Sequence, residues 1–238
     1  MYKKIIIFGF PHSGTTILRN IIGHIENVYE IVDEVAMIDD NNSDYTNYSF
    51  VLCKWPYLIN ENELLINYSD YIKIFIIRNP LYVFSSLNKR FKNALPNDDE
   101  HNVDKYIVTI KQFNKLENAK NIDDLFLIKY EDIFEDNYKN IKNIFDKIGF
   151  IYNDTIFDNS KYTNKVQFGN NITIPGDLPS PSCHTKYRLF QINKLFVNNN
   201  DKNKICLTET QHQILTTDIN ILDAYPENKL FIRETNIL

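Results

Sequence analysis

Residues 5–18 read Ile5-Ile6-Ile7-Phe8-Gly9-Phe10-Pro11-His12-Ser13-Gly14-Thr15-Thr16-Ile17-Leu18, and this stretch decides the fold. Its first four residues are apolar without interruption, the pattern of a short strand buried on both faces. Ile17, Leu18, Ile21, Ile22 and Ile25 then recur at helical spacing and predict a helix through about Glu26. Between strand and helix lies Gly9-x-x-x-x-Gly14-Thr15-Thr16, the spacing of a phosphate-binding loop with Thr15 where such loops carry lysine. Glycines let the backbone turn tightly, so that successive N–H groups point inward at an anion. The helix that follows adds the positive end of its dipole. Without the lysine that reaches β- and γ-phosphates, triphosphate chemistry is not expected, and the cradle suits a less charged group.

Outward from this stretch, apolar strands and helices alternate. Phe50 to Lys54, Ile72 to Ile77 and Leu125 to Lys129 are the further strand candidates. Helices are predicted from Pro80 to about Lys92, from Asn102 to Asn121, after Tyr130-Glu131-Asp132 through Ile148, and from Thr208 to Ala224. Strands alternating with helices predict an α/β fold of three layers around a central parallel sheet, of the P-loop nucleotide-binding type. The chain reads as one domain over residues 1–238, with a polar loop at 93–101 and a lid or acceptor-binding loop at 152–186. Ligands on such sheets bind at the carboxyl ends of the strands. Gly9 to Thr16, Lys54, Arg78 and Tyr130 all fall there.

Composition excludes several classes. Net charge is −5, against the surplus of Lys and Arg that a nucleic-acid binder needs. Cys53, Cys183 and Cys206 have neither CxxC nor Cys/His ligand spacing, so free thiols are expected rather than disulfides or zinc. No stretch approaches the ~18 apolar residues of a membrane span. The chain therefore reads as a soluble cytoplasmic protein, with no membrane or nucleic-acid partner.

Arg78-Asn79-Pro80 follows the clearest strand, with Ser86 eight residues after Arg78. An arginine fork at a sheet's carboxyl edge suits a phosphate, although a solvated arginine before a proline-started helix is the plain alternative.

Pro11-His12-Ser13-Gly14-Thr15-Thr16-Ile17-Leu18 resembles the 5′-phosphosulfate loop of the P-loop sulfotransferases, which use 3′-phosphoadenosine 5′-phosphosulfate (PAPS). Arg78-x-Pro80 with Ser86 resembles that family's 3′-phosphate motif, and Tyr130-Glu131-Asp132 its segment near the adenine. The resemblance covers roughly residues 4–150. It implies a PAPS-binding set of Pro11, His12, Ser13, Gly14, Thr15, Thr16, Arg78, Ser86 and Tyr130, with 3′-phosphoadenosine 5′-phosphate (PAP) as product and no metal. His12 stands where the family has Lys or Arg, and could serve the phosphosulfate as a cation or as a neutral N–H donor. The family's later basic loop has only Lys186 and Arg188 as candidates, by position and charge.

Sulfonate transfer needs a base for the acceptor. Glu34, in Ile31-Val32-Asp33-Glu34-Val35 after the first helix, resembles the catalytic glutamate of several family members. The histidine that other members carry after the second strand is absent from Cys53-Lys54-Trp55-Pro56, where Lys54 can neutralise charge on the transferring group. His24, His101, His184 and His212 carry no motif. The expected function is metal-independent sulfonate transfer from PAPS to an acceptor hydroxyl or amine on a small molecule or glycan, with Glu34 as base and Lys54 and His12 assisting. A P-loop phosphotransferase or kinase, and a non-catalytic nucleotide-binding protein of the same fold, are the alternatives.

Overall fold

The computed structural model describes residues 2–91, 101–119, 122–158 and 198–231. The opening run forms strand β1 (Lys3–Gly9), in which Ile5, Ile6, Ile7 and Phe8 are fully buried. Alternation explains why no polar residue interrupts it: successive side chains point to opposite faces, and here both faces are covered. Ile5 and Ile7 join one core with Leu18, Ile21, Ile141 and Phe145. Ile6 and Phe8 join the other with Phe84, Tyr106, Phe113 and Ile221.

The remaining strands are β2 (Val28–Glu34), β3 (Phe50–Trp55), β4 (Tyr71–Ile77) and β5 (Leu125–Lys129). All pairings are parallel, in the order β2-β3-β1-β4-β5. On one side lie helices α1 (Thr15–Ile22) and, later in the chain, α5 (Lys139–Ile148). The other side is covered by α2 (Glu61–Ile66), α3 (Pro80–Phe91), α4 (Val103–Ala119), α6 (Glu209–Thr217) and α7 (Ile219–Ala224). This is the three-layer α/β arrangement that the alternating pattern predicts.

Three differences from the sequence reading have local causes. Helix α1 stops at Ile22 rather than near Glu26, because the Gly23 N–H closes onto Arg19 and Ile21 and the next N–H groups bond three residues back. Ile25 is still buried, so its periodicity persists beyond the helix. Strand β2 is not among the strands that the sequence predicts, because Glu30, Asp33 and Glu34 interrupt its apolar run. The expected helix over Thr208–Ala224 is two helices. Asp218 is extended between them, and its carboxylate accepts from the N–H groups of Asn220 and Ile221 to start the second.

Most of the expected 93–101 loop and of the 152–186 lid lies outside the described residues, as do Lys186, Arg188, Cys183 and His184. Cys53 is buried and its thiol is pushed up to about 12 by desolvation; Cys206 is half-buried, and both are free thiols. Among the described residues no helix is long and apolar enough to cross a membrane.

Candidate functional site

Each strand delivers one part of a single site at its carboxyl end. β1 ends in Gly9 and the loop, β2 in Glu34, and β3 in Lys54 and Trp55. Arg78 directly follows β4, and Tyr130 follows β5. These ends surround a cavity of about 450 Å³, within the ~300–1,000 Å³ usual for small-molecule sites. Pro11, His12, Gly14, Thr15, Thr16, Glu34, Lys54, Arg78, Ser86 and Tyr130 line it. Ser13, the remaining predicted site residue, is fully buried behind the loop, and its hydroxyl has no hydrogen-bond partner among the described residues.

The loop turns where it does because of Gly9 and Gly14. A Cβ at Gly9 would sit 2.2 Å from the Ile76 carbonyl oxygen on the neighbouring strand. Gly14 has φ of 100°, and a Cβ there would lie 2.4 Å from the Tyr130 ring. Gly14 occupies the cap position of α1, and no side chain caps the first-turn N–H groups. They therefore remain directed at the loop, as an anion cradle requires.

Glu34 and Lys54 meet because β2 is irregular. Glu30 pairs with Leu52 and Glu34 with Lys54, so β2 takes four residues where β3 takes two. The displaced end sets the Lys54 ammonium 2.7 Å from Glu34 Oε1 and 2.9 Å from Thr16 Oγ1. Lys54 is almost fully buried, at 3% exposure. Since Lys54 donates to Thr16, the Thr16 hydroxyl proton is available to another acceptor.

Arg78 lies with its guanidinium carbon 4.3 Å from the centre of the Tyr130 ring. Its Nε donates to Asn200 Oδ1 at 2.8 Å and a terminal nitrogen donates to the His12 carbonyl at 3.2 Å. Burial pushes its pKa down from the usual arginine value, yet an arginine starts so high that it stays charged. Tyr130 is fully buried under Arg78 and against Gly14, and its hydroxyl accepts from the Asn199 N–H at 3.1 Å. Glu131 binds the same assembly together, accepting from the Asn79 N–H at 3.0 Å and Asn200 Nδ2 at 2.8 Å; burial raises its pKa.

His12 has φ of 67°, a left-handed conformation uncommon for a residue with a side chain. Its Nδ1 lies 2.7 Å from Ser86 Oγ and its Nε2 3.3 Å from an Arg90 terminal nitrogen. His12 is half-buried and lines the cavity. Burial, then the charges of Arg90, His101, Arg78 and Lys54, hold its pKa well below the ordinary 6.5, so it is neutral at pH 7. Ser86 turns to the loop while Ser85 accepts the Cys206 N–H at 2.7 Å, which separates the roles of the two adjacent serines.

Several cavity residues escaped the sequence reading. Tyr82 and Arg90 share the cavity-facing stripe of α3 with Ser86, at i, i+4 spacing that could have flagged them. His101, Asn199 and Lys204 come from distant segments, and no local signal marks them. Asn200 reaches Arg78 from 122 residues away. Among the described residues no group of three His, Cys, Asp or Glu could hold a metal ion.

No family model matches the chain. No curated protein matches it either. Solved structures do. A crystal structure of mouse sulfotransferase SULT7A1 complexed with PAP aligns over 96% of this chain and 86% of its own, with a TM-score of 0.57 and 16% identity. Retinol dehydratase in complex with androsterone and the inactive cofactor PAP aligns over 98% and 82%, with a TM-score of 0.50 and 14% identity. The chain thus has the fold of a PAPS-dependent sulfotransferase.

Proposed function

We propose that this chain, built on the sulfotransferase fold, transfers a sulfonate group from PAPS to an acceptor hydroxyl or amine. The observation that carries the reading is the convergence of two anion sites on one cavity: the uncapped N-terminus of α1 in its glycine loop, and Arg78 with Ser86. Two phosphate-accepting sites facing one nucleotide-sized space suit a nucleotide phosphorylated at both ends of its ribose. The solved structures of the same fold are described as binding PAP.

In the reaction the acceptor oxygen or nitrogen attacks sulfur in line. A new S–O or S–N bond forms as the bond from sulfur to the 5′-phosphate oxygen breaks, and PAP leaves with the electron pair. The acceptor proton passes to the Glu34 carboxylate. Lys54, between Glu34 and Thr16, holds the carboxylate in place and sets a positive charge beside the loop. The first-turn N–H groups of α1 and the Thr15 and Thr16 hydroxyls stabilise charge on the departing phosphate. Nothing in this scheme needs a metal ion. The acceptor is a small molecule or a glycan.

Calorimetric titration with PAP, and separately with ATP plus Mg²⁺, tests the reading. Micromolar or tighter binding of PAP with little binding of ATP is expected. ATP binding in preference to PAP would make the loop a degenerate triphosphate site instead.

A further inference from the structure

A phosphate loop ordinarily brings its own cation, and this one has Thr15 in the lysine position and a neutral His12 three residues earlier. The hydrogen bonds at His12 fix what its ring can offer. Arginine has donors and no acceptor, so the His12 Nε2 that faces Arg90 at 3.3 Å must be the bare nitrogen. The ring proton is then on Nδ1, where it donates to Ser86 Oγ at 2.7 Å. Both nitrogens are thereby committed, and the ring presents no N–H to a ligand. What lies at the far side of the ring is a guanidinium, lining the same cavity one helical turn beyond Ser86.

We propose that Arg90 supplies a second positive charge, beside Lys54, for the 5′-phosphate end of the donor nucleotide, and that His12 is the positioning residue that aims it. The cation that position 12 would bring has moved to α3, and the His12 ring keeps an acceptor to hold it. A lysine at position 12 would bring a point charge on a flexible stem. Arg90 brings a planar fork that can pair with two oxygens of one phosphate and that stays charged at every working pH. A charged His12 would instead repel Arg90, so the depressed pKa and the hydrogen bond to Arg90 favour the same neutral state.

The inference rests on the reading of the cavity as a PAPS site, and the experiment separates the two. Affinities for PAP and for adenosine 3′-monophosphate, which lacks the 5′-phosphate, are measured by calorimetry on wild type, Arg90→Ala, Arg90→Lys and His12→Asn. If wild type does not bind PAP, the cavity reading fails and this proposal with it. Given wild-type binding, Arg90→Ala should weaken PAP on the order of 10- to 100-fold, the loss of one charge-assisted partner, and leave adenosine 3′-monophosphate within about twofold. Arg90→Lys should recover part of the loss. His12→Asn should weaken PAP less than Arg90→Ala does, and add nothing further in the Arg90→Ala background, because its effect runs through the arginine. Placing lysine back in the loop, as His12→Lys on Arg90→Ala, should restore PAP affinity. Unchanged PAP affinity in Arg90→Ala, or equal weakening of both nucleotides, would overturn the proposal. Should Arg90→Ala not fold, Arg90→Gln carries the same comparison, since it keeps a donor for His12 but no charge.

Discussion

Lys54 donates to a carboxylate and a hydroxyl at once, and in the proposed reaction those two oxygens belong to different tasks: Glu34 to proton transfer, Thr16 to the anion cradle. Glu34→Gln separates them. Glutamine keeps the shape and an oxygen for Lys54 but has no basic lone pair of useful strength. PAP affinity should stay within about twofold while turnover with the acceptor falls by ~10²–10⁴-fold, the usual contribution of a general base. Normal turnover would remove Glu34 as the base. At this scale the legible residues were those in local register: Pro11 to Thr16, and Arg78 with Ser86 eight residues on. Asn200 and His101 were illegible for a physical reason. His101 enters the cavity and Asn200 meets Arg78, each from a segment remote in sequence, and nothing in its neighbours' spacing announces the meeting.

Among the elements, the turn from the central β1 into α1 depends on a contact from the residue that follows the edge strand β5. Gly14 is left-handed and its missing Cβ makes room for the Tyr130 ring, which in turn lies under Arg78. Gly14→Ala asks for backbone strain of ~1–2 kcal/mol and for displacement of that ring. The variant should lose about 1–3 kcal/mol of stability by denaturant unfolding and bind PAP more weakly, because the arginine platform shifts with the tyrosine. A midpoint equal to wild type would mean that the ring moves freely. The strands that could be read from the sequence are the apolar ones, with β5 matching Leu125–Lys129 in full. Strand β2 could not, because its acidic residues have separate uses. Glu30 pairs with the buried Arg19 at 3.0 Å, whereas Glu34 turns to Lys54 after the irregularity. A strand whose residues serve a salt bridge, a bulge and a site shows no clean period.

For the whole molecule, the buried neutral histidine sets a pH dependence of stability. His12 is depressed below 6.5 in the folded chain and returns to about 6.5 when unfolded, so below that pH the unfolded state binds the extra proton. Stability from this group is fully present above pH 6.5 and is lost as pH falls below it, with a slope of at most about 1.4 kcal/mol per pH unit. Arg90, His101, Arg78 and Lys54 are the charges that resist its protonation. Glu131, raised by burial, works in the opposite sense, so the informative quantity is the difference between wild type and His12→Asn. That difference should shrink from pH 7.5 to pH 5.5 in thermal or denaturant unfolding, and a constant difference would show that His12 does not titrate differently on folding. The convergence of all five strand ends on one cavity has a further thermodynamic consequence. An occupant there touches both edges of the sheet as well as its centre, so fraying of β2 or β5 releases the occupant too. Its binding free energy, about 2.7 kcal/mol at a hundredfold excess over Kd, is charged against every such opening. With the proposed donor bound, five strands that would loosen separately become one cooperative unit.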